Sequence, residues 1–71
     1  MKLHYYPDTD SLYIEFSEKP GSGVVEIAPG VVADISEDGS IVGLDIDHAS
    51  KKLDLSKLEA FALPVVQTRI A

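Results

Sequence analysis

The sequence predicts a mainly β protein of the α+β class, a five-stranded antiparallel meander of hairpins followed by one short C-terminal helix. Three observations carry this expectation. Apolar and polar residues alternate along five short segments, the period of strands with one buried face. Clusters of Pro, Gly and Asp separate those segments. Beyond them, Leu55, Leu58, Ala62 and Leu63 recur at near-helical spacing ahead of Pro64, a residue that ends helices.

The first hairpin runs from Met1–Tyr6 into Ser11–Phe16, with Pro7, Asp8, Thr9 and Asp10 as its loop. That loop length places Tyr5 opposite Leu12, Leu3 opposite Ile14, Lys2 opposite Glu15 and His4 opposite Tyr13. One register thus sorts both strands into an apolar and a polar face, and a slip of one residue would undo it. Ser17 to Gly23, with Pro20, Gly21 and Gly23, is a loop able to carry the chain to a new place in the sheet. The second hairpin joins Val24–Ala28 to Val31–Ser36. A three-residue loop of Ala28, Pro29 and Gly30 pairs Ile27 with Val31 and Val25 with Ala33, and keeps the faces unmixed.

Asp38-Gly39 is the clearest local signal, because a two-residue type I′ turn needs positive φ at both central positions. It sets Ile35 opposite Val42, Ala33 opposite Leu44 and Val31 opposite Ile46, and sends Asp34, Ser36, Asp45 and Asp47 to the other face. Strands therefore occupy residues 1–47 of a single domain of 71. Asp54 or Ser56 can cap a helix over about residues 54–63, where Ser56 and Glu59 have capping-box spacing. Residues 64–71 form a tail, with Val65, Val66 and Ile70 available for a short extra strand or for fraying.

Composition narrows the partners. The chain carries 12 acidic and 6 basic residues, a net charge of −6, and no cysteine. Disulfides and thiolate-bound zinc, the usual supports of very small domains, are therefore not available to it. Nucleic-acid binding begins with clustered Lys and Arg, and here Lys51 and Lys52 are the only adjacent basic pair, read most simply as a solvated turn. No apolar run approaches the roughly 20 residues of a membrane span, and no secretory leader pattern opens the chain, so a cytosolic setting is the expectation. Neither nucleic acid nor membrane is expected as a partner, and no cofactor is.

Several residue patterns invite chemistry. Asp34-Ile35-Ser36-Glu37-Asp38-Gly39-Ser40-Ile41-Val42-Gly43-Leu44-Asp45 has the ligand spacing of a calcium-binding loop. Its flanks are strand residues rather than helices, and its last position holds Asp in place of the bidentate Glu, so a tight hairpin is the simpler reading. Asp8 and Asp10 form a carboxylate pair able to hold Mg²⁺, although both also serve as turn formers. His4 and His48 have no metal-binding spacing. Asp45, Asp47 and His48 are the cluster that a small hydrolytic or metal-dependent enzyme would use. Tyr5, Tyr6 and Tyr13 lack the basic neighbours of a base-stacking surface and read as packing.

In order along the chain, the runs His4-Tyr5-Tyr6-Pro7-Asp8-Thr9-Asp10-Ser11-Leu12-Tyr13-Ile14, Glu26-Ile27-Ala28-Pro29-Gly30-Val31-Val32-Ala33-Asp34, Asp38-Gly39-Ser40-Ile41-Val42-Gly43-Leu44-Asp45-Ile46 and Asp47-His48-Ala49-Ser50 resemble domain-of-unknown-function family 2283, a set of small prokaryotic proteins. The resemblance spans about residues 3 to 52. It departs at Tyr6, where the family usually has an acidic residue, and the segment from Asp54 onward is less typical. It implies a compact β-rich domain in a bacterial or archaeal cytosol, and supplies no activity, cofactor or catalytic residue.

A sheet of five strands is roughly 24 Å wide, whereas one helix covers about 10 to 12 Å. The apolar face carrying Leu3, Tyr5, Leu12, Ile14, Phe16, Val25, Ile27, Val31, Ala33, Ile35, Val42, Leu44 and Ile46 is thus expected to need a second copy of the chain, unless strong curling of the sheet hides it within one. The leading expectation is a non-enzymatic, homodimeric protein-binding module. In its antitoxin-like version Asp34, Glu37, Asp45, Asp47 and Glu59 neutralise a basic protein.

Overall fold

A computed structural model describes residues 1–64. Among these residues five strands, β1 (Lys2–Tyr6), β2 (Ser11–Glu15), β3 (Gly23–Ala28), β4 (Val31–Ile35) and β5 (Ile41–Ile46), form one sheet, and a single short helix, α1 (Ala49–Lys52), follows. Every pairing is antiparallel. The strand order is β1-β2-β5-β4-β3, so the sheet is not the plain meander expected. The loop after Phe16 carries the chain to the far edge, and the last strand returns to close between β2 and β4. This arrangement gives β2 two neighbours, with Leu12 opposite Ile46 and Ile14 opposite Leu44. A sequential meander would have left β2 beside the apolar edge of β3 and β5 outside.

The first hairpin has the register read from the sequence at all five positions, from Lys2 opposite Glu15 to Tyr6 opposite Ser11. The other two hairpins keep their faces but reach them differently. Between β3 and β4 the turn is the two residues Pro29 and Gly30, with Ala28 rather than Ile27 opposite Val31. A bulge at Ile27 then restores Val25 opposite Ala33.

Between β4 and β5 the loop has three residues, Glu37 to Gly39, closed by the Ser36 N–H on Ser40 O at 2.9 Å and the Gly39 N–H on Ser36 O at 3.0 Å. Gly39 alone takes positive φ, at 88°, which makes this a type I turn with a glycine bulge rather than type I′. Asp38 explains the difference: its carboxylate accepts the Ser36 and Ser40 hydroxyls and the Ser40 N–H, bonds that hold it out of the left-handed region. Ile35 consequently faces Ile41, and Val42 becomes the extra residue before Ala33 and Leu44 come back into register. The Val42 carbonyl accepts the Phe16 N–H at 2.7 Å and the Ser17 N–H at 3.2 Å.

Helix α1 lies at Ala49–Lys52, ahead of the 54–63 expected, and residues 54–63 contain no helix. The Asp54 carboxylate accepts both the N–H and the hydroxyl of Ser56, the bonds of an isolated turn that no helix continues. Ala62 takes a positive φ of 56°. A ten-residue helix has little stability of its own unless one face packs, and every residue from 51 to 64 is exposed. The tail, apart from Pro64, lies outside the described residues.

The core is small. Leu12, Ile46 and Ala49 form it, with Ile14 and Val31 packed alongside. Ala33 and Val42 are also buried. Ala49 is completely buried because α1 folds back over β2 and β5.

Candidate functional site

The pairing registers arrange the sheet into cross-strand rows. On one face run Tyr5–Leu12–Ile46–Val31 and Leu3–Ile14–Leu44–Ala33–Val25; on the other run His4–Tyr13–Asp45–Val32–Glu26 and Lys2–Glu15–Gly43–Asp34–Val24. The first face is wholly apolar apart from the Tyr5 hydroxyl. The second holds four carboxylates, Glu15, Glu26, Asp34 and Asp45, with the basic groups Lys2 and His4 confined to the β1 edge.

Tyr13 organises the acidic face. Its hydroxyl donates to Asp34 Oδ2 at 2.9 Å, two strands away, and to get there the ring must cross β5. It crosses over Gly43, where an added Cβ would sit 2.7 Å from Tyr13 Cζ and 2.8 Å from the Ile14 carbonyl oxygen. Only a residue without a side chain permits that passage. The bond to Asp34, then loss of water, then the negative charges of Asp34, Glu15 and Asp45 push the Tyr13 hydroxyl above its ordinary 10.0. The tyrosine therefore stays protonated and acts as a donor among acids.

Asp10 organises the other end. It takes φ of 54° at the close of the first turn, and its carboxylate accepts the Tyr5 hydroxyl at 2.7 Å, the Ser50 N–H at 3.1 Å and the Ser50 hydroxyl at 2.7 Å. Its own carbonyl accepts the Ala49 N–H at 2.9 Å. Asp10 thus supplies from a distant turn the cap that His48 does not give α1. These bonds, the Ser50 hydroxyl first and Tyr5 second, hold its carboxyl below the ordinary 3.8. The same bond pushes the Tyr5 hydroxyl up. No sequence-local signal joins Asp10 to Ser50; they are 40 residues apart.

The candidate partner-binding residues do not form one patch. Asp34 and Asp45 share the acidic face. Glu37 lies at the tip of the β4–β5 hairpin, Asp47 at the opposite end of β5, and Glu59 in the segment beyond α1. The sequence reading missed Glu15 and Glu26, which do share a face with Asp34 and Asp45; period-two alternation along β2 and β3 was the available signal. Gly43, an isolated glycine inside a strand, was the signal for a close approach.

Of the cluster Asp45, Asp47 and His48, the last two form an exposed pair in the turn after β5, His48 Nδ1 lying 3.2 Å from Asp47 Oδ2. Lys52 Nζ donates to the Asp47 carbonyl. A groove of about 720 Å³ lies on the apolar face, between Leu3, Tyr5, Leu12 and Ile14 and the Leu53–Leu58 segment, and none of the three residues lines it. Among the described residues no three His, Asp or Glu side chains stand close enough to hold a metal ion. The calcium-like string forms the β4–β5 hairpin, with Asp34 bonded by Tyr13 and Asp38 by Ser36, Ser40 and Lys19. Asp8 takes no part in the Asp10 network.

These features define a class: a five-stranded antiparallel sheet, acidic on one face and apolar on the other, tied off by a short helix that a turn aspartate caps. The family described as Protein of unknown function (DUF2283) matches residues 2–50, which span all five strands and the Ala49-Ser50 docking site, and the chain belongs to that family. No curated protein and no solved structure matched the chain. No helix among the described residues is long and apolar enough to cross a membrane.

Proposed function

We propose that this chain is a non-enzymatic protein-binding module of the prokaryotic cytosol, working as a homodimer that turns its acidic sheet face to a basic protein. The observation that carries the reading is the sorting of the two faces. Four carboxylates stand on one side, around a tyrosine locked across the sheet, and apolar rows stand on the other. A rigid sheet with fixed charges attracts a complementary surface and sets its orientation. In the antitoxin-like form, Asp34, Asp45, Glu15 and Glu26 meet the basic partner directly, with Glu37 and Asp47 at the two ends of the face. Glu59 is set apart from them, in the exposed segment beyond α1.

Affinity capture from the source cells at low salt tests the reading. The expected result is a basic protein that is retained by the native chain, released at about 1 M salt where the Debye length falls to about 3 Å, and lost with Glu26→Gln/Asp45→Asn. Recovery of the chain alone contradicts it.

A further inference from the structure

Aspartate turns into isoaspartate when the backbone nitrogen of the next residue closes on its Cγ as a succinimide, so in a folded chain the reaction goes where that nitrogen can reach a carboxyl. By sequence Asp38-Gly39 is the most reactive pair, since glycine puts no side chain in the way. The fold closes it. The Asp38 carboxylate accepts the Ser36 and Ser40 hydroxyls, the Ser40 N–H at 3.0 Å and Lys19 Nζ at 2.9 Å, and the Gly39 N–H is bonded to the Ser36 carbonyl at 3.0 Å. Ser50 and Ser56 hold the carboxylates of Asp10 and Asp54 in the same way. The Thr9 N–H after Asp8 is bonded to the Tyr6 carbonyl, and Asp34 and Asp45 are each followed by a β-branched isoleucine within a strand.

Asp47-His48 is arranged in the opposite way. The His48 N–H donates to Asp47 Oδ1 at 3.0 Å, so the nitrogen that would attack already lies against the carboxyl it would attack, as in a near-attack conformer. The other oxygen, Asp47 Oδ2, is 3.2 Å from His48 Nδ1, within the reach of a general acid. Lys52 Nζ donates to the Asp47 carbonyl; a cation on an amide oxygen draws electrons from the nitrogen and acidifies the N–H, here that of His48. Both flanks of the turn are anchored, by the Asp47 N–H on the Gly30 carbonyl at 2.8 Å and the Ala49 N–H on the Asp10 carbonyl at 2.9 Å. The pair is exposed, which leaves it open to solvent water.

We propose that Asp47 is the site at which the folded chain isomerises, with His48 as the assisting acid. The His48 backbone nitrogen bonds to Asp47 Cγ, the Cγ–Oδ2 bond breaks, and Oδ2 leaves as water with one proton from the imidazolium and one from the amide. A solvent water then opens the ring. Attack at Cγ restores aspartate; attack at the main-chain carbonyl of Asp47 leaves isoaspartate, whose main chain is longer by one carbon. The water lost in the first step is regained in the second. Because the turn is anchored on both flanks, the extra length displaces Ala49, which is completely buried, and α1 loses its seat on β2 and β5.

Peptide mapping with isoaspartyl methyltransferase labelling tests this on the full chain, incubated in mildly acidic buffer both folded and in urea. In the folded chain isoaspartate should accumulate at Asp47 at least about tenfold faster than at Asp38, and the order should reverse in urea, where Gly39 is unhindered. His48→Asn keeps a residue suited to the left-handed φ of 51° and removes the acid. It should slow the reaction at Asp47 by about tenfold, below the range of an enclosed general acid because the pair is exposed. Lys52→Gln should slow it as well, and in urea neither substitution should change the rate. Isoaspartate forming at Asp38 as fast as at Asp47 in the folded chain overturns the proposal. So does a His48→Asn chain, folded by far-ultraviolet circular dichroism, that reacts at the native rate or is slowed equally in urea. If that variant does not fold, the native chain compared folded and in urea still decides.

Discussion

Tyr13 reaches Asp34 by passing over Gly43, and that passage fixes what residue 43 can be. Gly43→Ala should destabilise the fold by about 1–3 kcal/mol, the range of overpacked sites, measured by urea denaturation. Removing the ring, as in Tyr13→Ala/Gly43→Ala, should not restore stability, because the Ile14 carbonyl oxygen would still lie 2.8 Å from the new methyl. Tyr13→Phe should cost about 1.5–3 kcal/mol, the net worth of a hydrogen bond to a charged carboxylate. Acid should weaken the fold through Asp10. Its folded-state carboxyl is held below 3.8, so its contribution is complete above the unfolded value and is lost as pH falls through the folded one. Asp38, also held low by Ser36, Ser40 and Lys19, acts in the same direction. The sign reverses for Tyr5 and Tyr13, whose raised values withdraw stability as pH climbs past 10. Thermal unfolding across the pH range should show a plateau bounded on both sides, and Asp10→Asn should shrink the acid-side loss.

At the scale of elements, the facial sorting was legible and the turns were less so. Alternation along Leu3, Tyr5, Leu12 and Ile14 dictates which side chains share a face, and burial enforces that choice strongly. Turn chemistry is weaker: in two hairpins the loop differs by one residue from its expected length, and bulges at Ile27 and Val42 repair the register. Asp38-Gly39 did mark a turn, but serine hydroxyls on both sides of Asp38 decided its type. Gly39→Val should cost more than Gly39→Asn in the same urea denaturation, since only Asn among these tolerates positive φ without strain. The pairing of β2 with β5 was illegible because no local residue specifies a partner some 30 positions away. The helix was misplaced for a related reason. Leu55, Leu58 and Ala62 have helical spacing, but α1 forms where Asp10 and the buried Ala49 can hold it. Ala49→Leu should therefore unfold α1 or cost about 1–3 kcal/mol, seen as faster exchange of the Leu53 amide, which donates to the Ala49 carbonyl at 2.8 Å.

For the whole molecule, a core of five buried apolar residues among those described is small even for a short chain, and domains of this size are marginal without an added support. The homodimer proposed above would supply one without cysteine or metal. The two faces then respond oppositely to salt: dimerisation through apolar rows should persist or strengthen at high ionic strength, whereas capture by the acidic face should fade. Sedimentation equilibrium of the native chain at micromolar concentration measures the self-association most directly. The predicted result is a species of twice the 7.7 kDa chain mass, stable to added salt. A single species at the mass of one chain would contradict it.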